Sequence, residues 1–171
     1  DQDPGLLAGN VAGLYTTMFV PETGGTTGHD DFGQKAQDIN MDLLTSDMVI
    51  EGTNYGWFGG VSRYQPTQDF TRNEAYVPWR YYYRMIFAAN TIIDALGGTD
   101  VDLTDATAES RFIMGQAKAM RAYSYFYLAQ LYSKEGYGTG AELILPIYLK
   151  VEEANKPLSS TKEVYDLIVA D

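Results

Sequence analysis

The chain has 171 residues, 45% of them hydrophobic, which is enough to build a buried core and excludes wholesale disorder. Its 23 acidic and 12 basic residues leave a net charge of −11, which repels phosphate backbones and argues against a nucleic-acid partner. The absence of cysteine and the single histidine, His29, exclude disulfide scaffolds, thiolate metal sites, cysteine nucleophiles and paired-histidine zinc sites.

The opening segment predicts a helix with Asp3 as N-cap and Pro4 at the first helical position. Leu6, Leu7, Val11, Leu14, Tyr15 and Met18 then fall on one stripe. No apolar run approaches the ~20 residues of a membrane span, and no signal peptide opens the chain. Residues 20–33, punctuated by Pro21 and four glycines, read as a loop carrying His29, Asp30 and Asp31. A second helix is expected from about Gln34 to Thr45, with Ala36, Ile39, Leu43 and Leu44 facing inward. Residues 46–72 are irregular, and Gly52, Asn54, Gly56, Gly59 and Gly60 surround Tyr55, Trp57 and Phe58. Long loops of this kind often carry function.

A long helix ends near Leu96, where Gly97-Gly98 supplies a left-handed cap. Thr71 and Glu74 match a capping box at its start, while Pro78 predicts a kink or restart. Trp79, Tyr83, Ile86, Asn90 and Ile93 share one face, and Tyr81, Met85, Ala88, Ile92 and Ala95 a nearly opposite one. The next helix is expected from Asp105 to Ser133, capped by Thr104. One stripe on it is Ile113, Ala117, Met120, Ser124, Tyr127 and Leu131; a second, of small residues, is Gly115, Ala119, Ala122, Phe126 and Ala129. A helix apolar on two sides is packed on two sides, as in a tetratricopeptide-like stack of helical hairpins, although no clean 34-residue repeat is visible. After the apolar run Leu143–Tyr148, Ser160 or Thr161 caps a last helix containing Val164, Tyr165, Ile168 and Val169. Its pattern is cut at Asp171, so the expectation is an all-α fragment of a longer chain.

These segments resemble the N-terminal part of the SusD/RagB family, surface glycan-binding lipoproteins of Bacteroidetes nutrient-uptake systems. The likeness is carried by the opening helix with Leu14-Tyr15, by Thr45-Ser-Asp-Met48 with its Gly- and Trp-containing loop, and by Trp79-x₃-Tyr83-x₂-Ile86-x₃-Asn90-x-Ile92. It continues through Gly115-Gln-Ala-Lys-Ala-Met-Arg-Ala122, Tyr125-Phe-Tyr-Leu128, Leu145-Pro146 and the closing Glu163-Val-Tyr165-x₂-Ile168-x₂-Asp171. Departures are Gln116 for the usual Glu, Lys118-Ala119 for an apolar pair, and Lys156-Pro-Leu without the usual Arg. The resemblance implies one SusD-like N-terminal helical domain over residues 1–171, roughly the first third of the family protein. It also implies non-catalytic capture of extracellular glycan at the outer membrane and delivery to a SusC-type TonB-dependent transporter. The family's lipid anchor sits on an N-terminal Cys that this chain lacks, so membrane attachment is expected only through an upstream segment.

The sharpest candidate for chemistry is Asn54-Tyr55-Gly56-Trp57-Phe58. A sugar ring presents a flat C–H face that packs on indole or phenol, while its hydroxyls need polar partners. In SusD-like proteins an aromatic in this loop belongs to the glycan platform. Trp57 is similarly placed, with Tyr55 and Asn54 beside it. The alternative is a hydrophobic plug folding over the helices. Tyr81-Tyr82-Tyr83, Tyr123, Tyr125, Tyr127 and Tyr132 are expected to pack between helices, and Asn90 to be a buried hydrogen-bonding residue. His29-Asp30-Asp31 has no metal-ligand spacing and reads as solvated loop acid, with ligand contact as the alternative. Asp100, Asp102 and Asp105 lack the Gly and closing Glu of a calcium loop and read as turn and helix-start charges. Neither a nucleophile elbow nor a phosphate loop is present, and no metal or cofactor is expected. An all-helical glycoside hydrolase remains open, because the separation of carboxylate pairs is invisible in sequence. A tetratricopeptide-type scaffold binding peptide or protein is the other alternative.

Overall fold

The computed structural model describes residues 4–52 and 54–171. It is an all-α structure with one minimal strand pair: α1 Pro4–Thr17, α2 Gln34–Leu44, α3 Asn73–Ala95, α4 Ala108–Tyr132, β1 Leu143–Leu145, β2 Ser159–Ser160 and α5 Thr161–Ala170. The chain divides into two compact units, residues 15–81 and residues 1–14 with 82–171.

Helix starts follow from where short polar side chains spend their hydrogen bonds. The Thr107 hydroxyl accepts from the Ser110 amide at 3.1 Å, which starts α4 three residues later than the expected Thr104 cap. Thr104 instead sits in a turn two residues after Asp102, with its amide and hydroxyl both donating to the Asp102 carboxylate, at 2.9 and 2.6 Å. This Asx turn also accounts for Asp102 in the stretch loosely like a calcium loop. Thr71 is diverted in the same way, donating from amide and hydroxyl to Asp69 at 3.0 and 2.6 Å, so α3 begins at Asn73 without the expected capping box. The helix then runs unbroken through Pro78, which offers no N–H to the Glu74 carbonyl four residues back. At α5 the expectation holds in full: Ser160 accepts from the Glu163 amide while Glu163 accepts from the Ser160 amide, a complete capping box. Asp3 lies outside the described residues, as do the side chains of Leu6 and Leu7. Farther along α1, Leu14 is buried but Tyr15 is exposed, so the predicted stripe narrows at its end.

In the unit holding residues 82–171, α4 lies antiparallel to α3 and to α5. Tyr82 stacks on Tyr127 with ring centroids 5.3 Å apart, and Tyr83 meets Tyr125 edge-on at 6.3 Å. Tyr82 and Tyr125 are wholly buried. Residues 146–148 are strapped to this pair: the Tyr83 hydroxyl donates to the Pro146 carbonyl, the Asn90 amide to the Tyr148 carbonyl, and the Tyr148 amide to the Tyr125 hydroxyl, at 2.9, 3.0 and 2.8 Å. Burial holds the Tyr83 and Tyr125 hydroxyls protonated, far above the ordinary tyrosine range. Arg121, fully buried, donates Nε and Nη2 to the two oxygens of Asp171 at 2.6 Å each and Nη1 to the Asn90 oxygen at 2.9 Å. The interhelical roles expected for Tyr82, Tyr83, Tyr125, Tyr127 and Asn90 are therefore present.

The second stripe of α4 is packed at Ala129, which is 1% exposed, but not along its first half. Gly115 and Ala119 are exposed, no heavy atom lies within 4 Å of a Cβ placed at Gly115, and Phe126 is 43% exposed. The sides buried against α3 and α5 instead carry Ile113, Ala117, Arg121, Ser124 and Leu128. Helix α4 does contact two helices, but Gly115 and Ala119 take no part in those contacts.

Candidate functional site

The unit spanning residues 15–81 presents the loop aromatics on an open cleft of about 540 Å³. Its walls come from segments far apart in sequence. The loop before α2 gives Thr26, Thr27, Gly28 and Asp30; α2 gives Asn40; the aromatic loop gives Tyr55, Gly56 and Trp57. The start of α3 closes the cleft with Thr71, Arg72, Asn73, Glu74 and Val77.

The first loop is rigidly built. Its base is pinned where the Gln34 amide donates to the Met18 carbonyl at 2.8 Å and the Glu22 amide to the Asp31 carbonyl at 2.7 Å. The Asp31 side chain, 1% exposed, accepts from the Gly24 amide at 2.8 Å and from the amide and hydroxyl of Thr26 at 2.9 and 3.1 Å. This corrects the reading of His29-Asp30-Asp31 as solvated acid. Asp31 is a buried organiser of its own loop, and the donors of that loop are what the sequence pattern leaves unseen. Its two neighbours point to different tasks. The exposed His29 ring stacks on Trp57, centroids 5.4 Å apart and planes inclined by 15°. Asp30 lines the cleft, and burial pushes its carboxyl above the ordinary range, with the negative charges of Glu74 and Asp31 adding to the effect.

Trp57 is half-buried, stacks on His29 and lines the cleft. A Cβ at Gly28 would lie 3.3 Å from its ring and 2.4 Å from the Asp30 carboxylate, so the loop backbone passes close only because that side chain is absent. Tyr55 is 93% exposed and sits at φ 65°, in the left-handed region that a non-glycine residue rarely occupies. Outliers of this kind concentrate at functional loops. Phe58 turns away from the cleft and meets Phe32 edge-on at 6.4 Å. Of the three expected site residues, Trp57 and Tyr55 come together on the cleft; the Asn54 side chain lies outside the described residues.

Opposite the aromatics, Arg72 Nη2 donates to Glu74 Oε1 at 3.3 Å. Gly60 lets this pair approach, since a Cβ there would stand 2.1 Å from Glu74 Oε1 and 2.8 Å from Arg72 Nη2. Sequence reasoning missed Arg72, Glu74 and Asn40 as cleft residues and gave Asp30 only as an alternative. Only Asp30 had a local signal, its place in a glycine-rich loop. The cleft thus combines one propped indole, one exposed phenol, several neutral hydrogen-bonding groups and a short charged cluster.

A family of SusD-like proteins, described as starch-binding and associating with the outer membrane, matches residues 29–171. The chain belongs to the SusD-like family. A SusD-like protein of Formosa agariphila is 30% identical over 112 residues, covering 61% of this chain and 20% of that protein. A SusD-like carbohydrate-binding protein of Bacteroides vulgatus has the same fold over 99% of this chain and 34% of its own, with a TM-score of 0.76 and 22% identity. A SusD superfamily protein of Bacteroides thetaiotaomicron superposes with a TM-score of 0.66 at 18% identity, covering 99% of this chain and 36% of its own. The chain therefore spans about a fifth of the first relative and about a third of the two solved ones.

Proposed function

We propose that the chain is the N-terminal part of a SusD-like protein that binds glycan without transforming it, at the extracellular face of the outer membrane, and hands it to a SusC-type TonB-dependent transporter. Family membership supports the class of ligand and the membrane association. The observation that carries the reading for this chain is Trp57, held against His29 at the edge of a cleft whose other walls are polar. A pyranose lays its C–H face on the indole while its hydroxyls meet Asn40, Asn73 and the threonines, which is the mixture of one flat apolar surface and dispersed polar groups that a sugar requires. Tyr55 and Asn54 join Trp57 as proposed contacts. The experiment is calorimetric titration of the full-length protein against a glycan panel, with Trp57→Ala beside it. Binding that is lost on substitution while the melting temperature stays put supports the reading.

A hydrolase reading has one observation in its favour, the presence of Asp30 and Glu74 on a single aromatic cleft. Against it, Glu74 is engaged by Arg72, whereas hydrolysis needs one carboxylic acid and one free carboxylate flanking the bond. Release of reducing sugar by the full-length protein, abolished in Asp30→Asn, would establish the enzyme and displace the binding protein.

A further inference from the structure

The cleft beside Trp57 is weighted toward negative charge. Asp30 and Glu74 line it, and the buried Asp31 carboxylate lies just behind the loop that presents Asp30. Arg72 is the one cationic residue among the described residues lining the cleft, and its Nη2 already faces Glu74 Oε1 at 3.3 Å. The remaining lining residues are uncharged, and the chain as a whole carries a charge of −11.

We propose that this cleft selects uncharged glycans and rejects those bearing carboxylate or sulfate groups. The inference rests on the glycan-binding reading above and narrows its ligand class. Sugar hydroxyls can donate to the Asp30 and Glu74 carboxylates, so a neutral ring satisfies these acceptors. A uronate or sulfate brings acceptors and negative charge to a site that already holds both, and the one cation lining it already faces a carboxylate. Discrimination of this kind works by repulsion against the wrong ligand as much as by attraction for the right one. Glu74 has a double part in it: it contributes one of the charges and it occupies Arg72, which would otherwise be the natural partner of an anion.

The test compares pairs of ligands that share shape and differ in charge. Malto-, laminari- and mannohexaose, each beside its C6-oxidised counterpart, are titrated into the full-length protein at low and high salt. The neutral member of at least one pair should bind, with its oxidised counterpart weaker by on the order of tenfold or more at low salt. That gap should shrink at ~0.5 M salt, where charges more than a few ångströms apart are screened; a purely steric rejection would not respond. Glu74→Gln should narrow the gap by releasing Arg72. An oxidised hexaose that binds as tightly as its neutral partner, or in place of it, overturns the inference and leaves the glycan-binding reading standing. If no member of either set binds, the glycan reading falls and the inference with it.

Discussion

The imidazole of His29 lies nearly parallel to the indole of Trp57, 5.4 Å from it, and the two residues come from loops on either side of α2. The histidine covers one side of the tryptophan and fixes the angle at which the indole meets the cleft. A lone exposed Trp has rotamers to choose from; a stacked one has lost most of them before ligand arrives.

Trp57→Ala in the full-length protein is expected to weaken glycan binding by ~2 kcal/mol, roughly 30-fold, with the fold retained. Calorimetric titration beside thermal melting checks it. An unchanged affinity with a loss of ~3–5 kcal/mol in stability would make Trp57 the hydrophobic plug.

His29→Ala is expected to cost less, ~0.5–1.5 kcal/mol of binding, because it removes the support and not the platform. His29→Phe keeps a flat ring in place and should restore most of the affinity. Failure of the phenylalanine variant to rescue would show that the imidazole nitrogens, and not its plane, are what the site uses.

The local and repetitive features were legible in the sequence. The order and type of the helices, a cap at Ser160 or Thr161, the burial of Asn90 and the placement of Trp57 and Tyr55 together all follow from spacing within a few residues. Features depending on a competing hydrogen bond were not. Thr71 and Thr104 have the right chemistry for caps, yet Asp69 and Asp102, two residues earlier, hold each of them in a local turn. The second wall of the cleft was equally hidden. Asn40, Thr71 and Glu74 reach one site through tertiary folding, and none carries a motif that announces it. The small-residue stripe of α4 is covered at Ala129 and open at Gly115 and Ala119, since spacing reveals a face but not what covers it.

That open stripe gives a stability test. Gly115 sits inside α4 with free space where a Cβ would go, so Gly115→Ala should stabilise this chain by ~0.5–1 kcal/mol through helix propensity alone. Chemical denaturation measures it. A loss of stability would show that another helix does approach there.

Asp30 should make stability depend on pH. Its folded-state pKa is raised above the ordinary 3.8, chiefly by burial and then by Glu74 and Asp31, so the folded form prefers the protonated acid. The associated stability is fully present below about the ordinary value and is lost as pH rises through the raised one. At pH 7, Asp30→Asn should therefore melt higher than the parent, with the difference closing on acidification. Equal melting curves at pH 7 would show that the carboxylate is fully solvated.

Arg121→Ala is expected to cost ~3–5 kcal/mol, because it strands a buried carboxylate at Asp171 and an unpaired oxygen at Asn90. Adding Asp171→Asn should return part of that loss, since the stranded group is then neutral. Urea titration of the single and double variants decides this, and additive losses would argue against direct coupling.

The buried carboxylate of Asp31 has a kinetic consequence. By gathering three donors from residues 24 and 26, it makes the loop that carries His29 and Asp30 a fixed rim rather than a swinging flap. The order of that rim is set when the chain folds, so an arriving oligosaccharide meets a surface already in its final shape. Association should then proceed in a single phase whose rate rises linearly with ligand concentration. Removing the carboxylate with Asp31→Ala would turn capture into a two-step process limited by the loop finding its place.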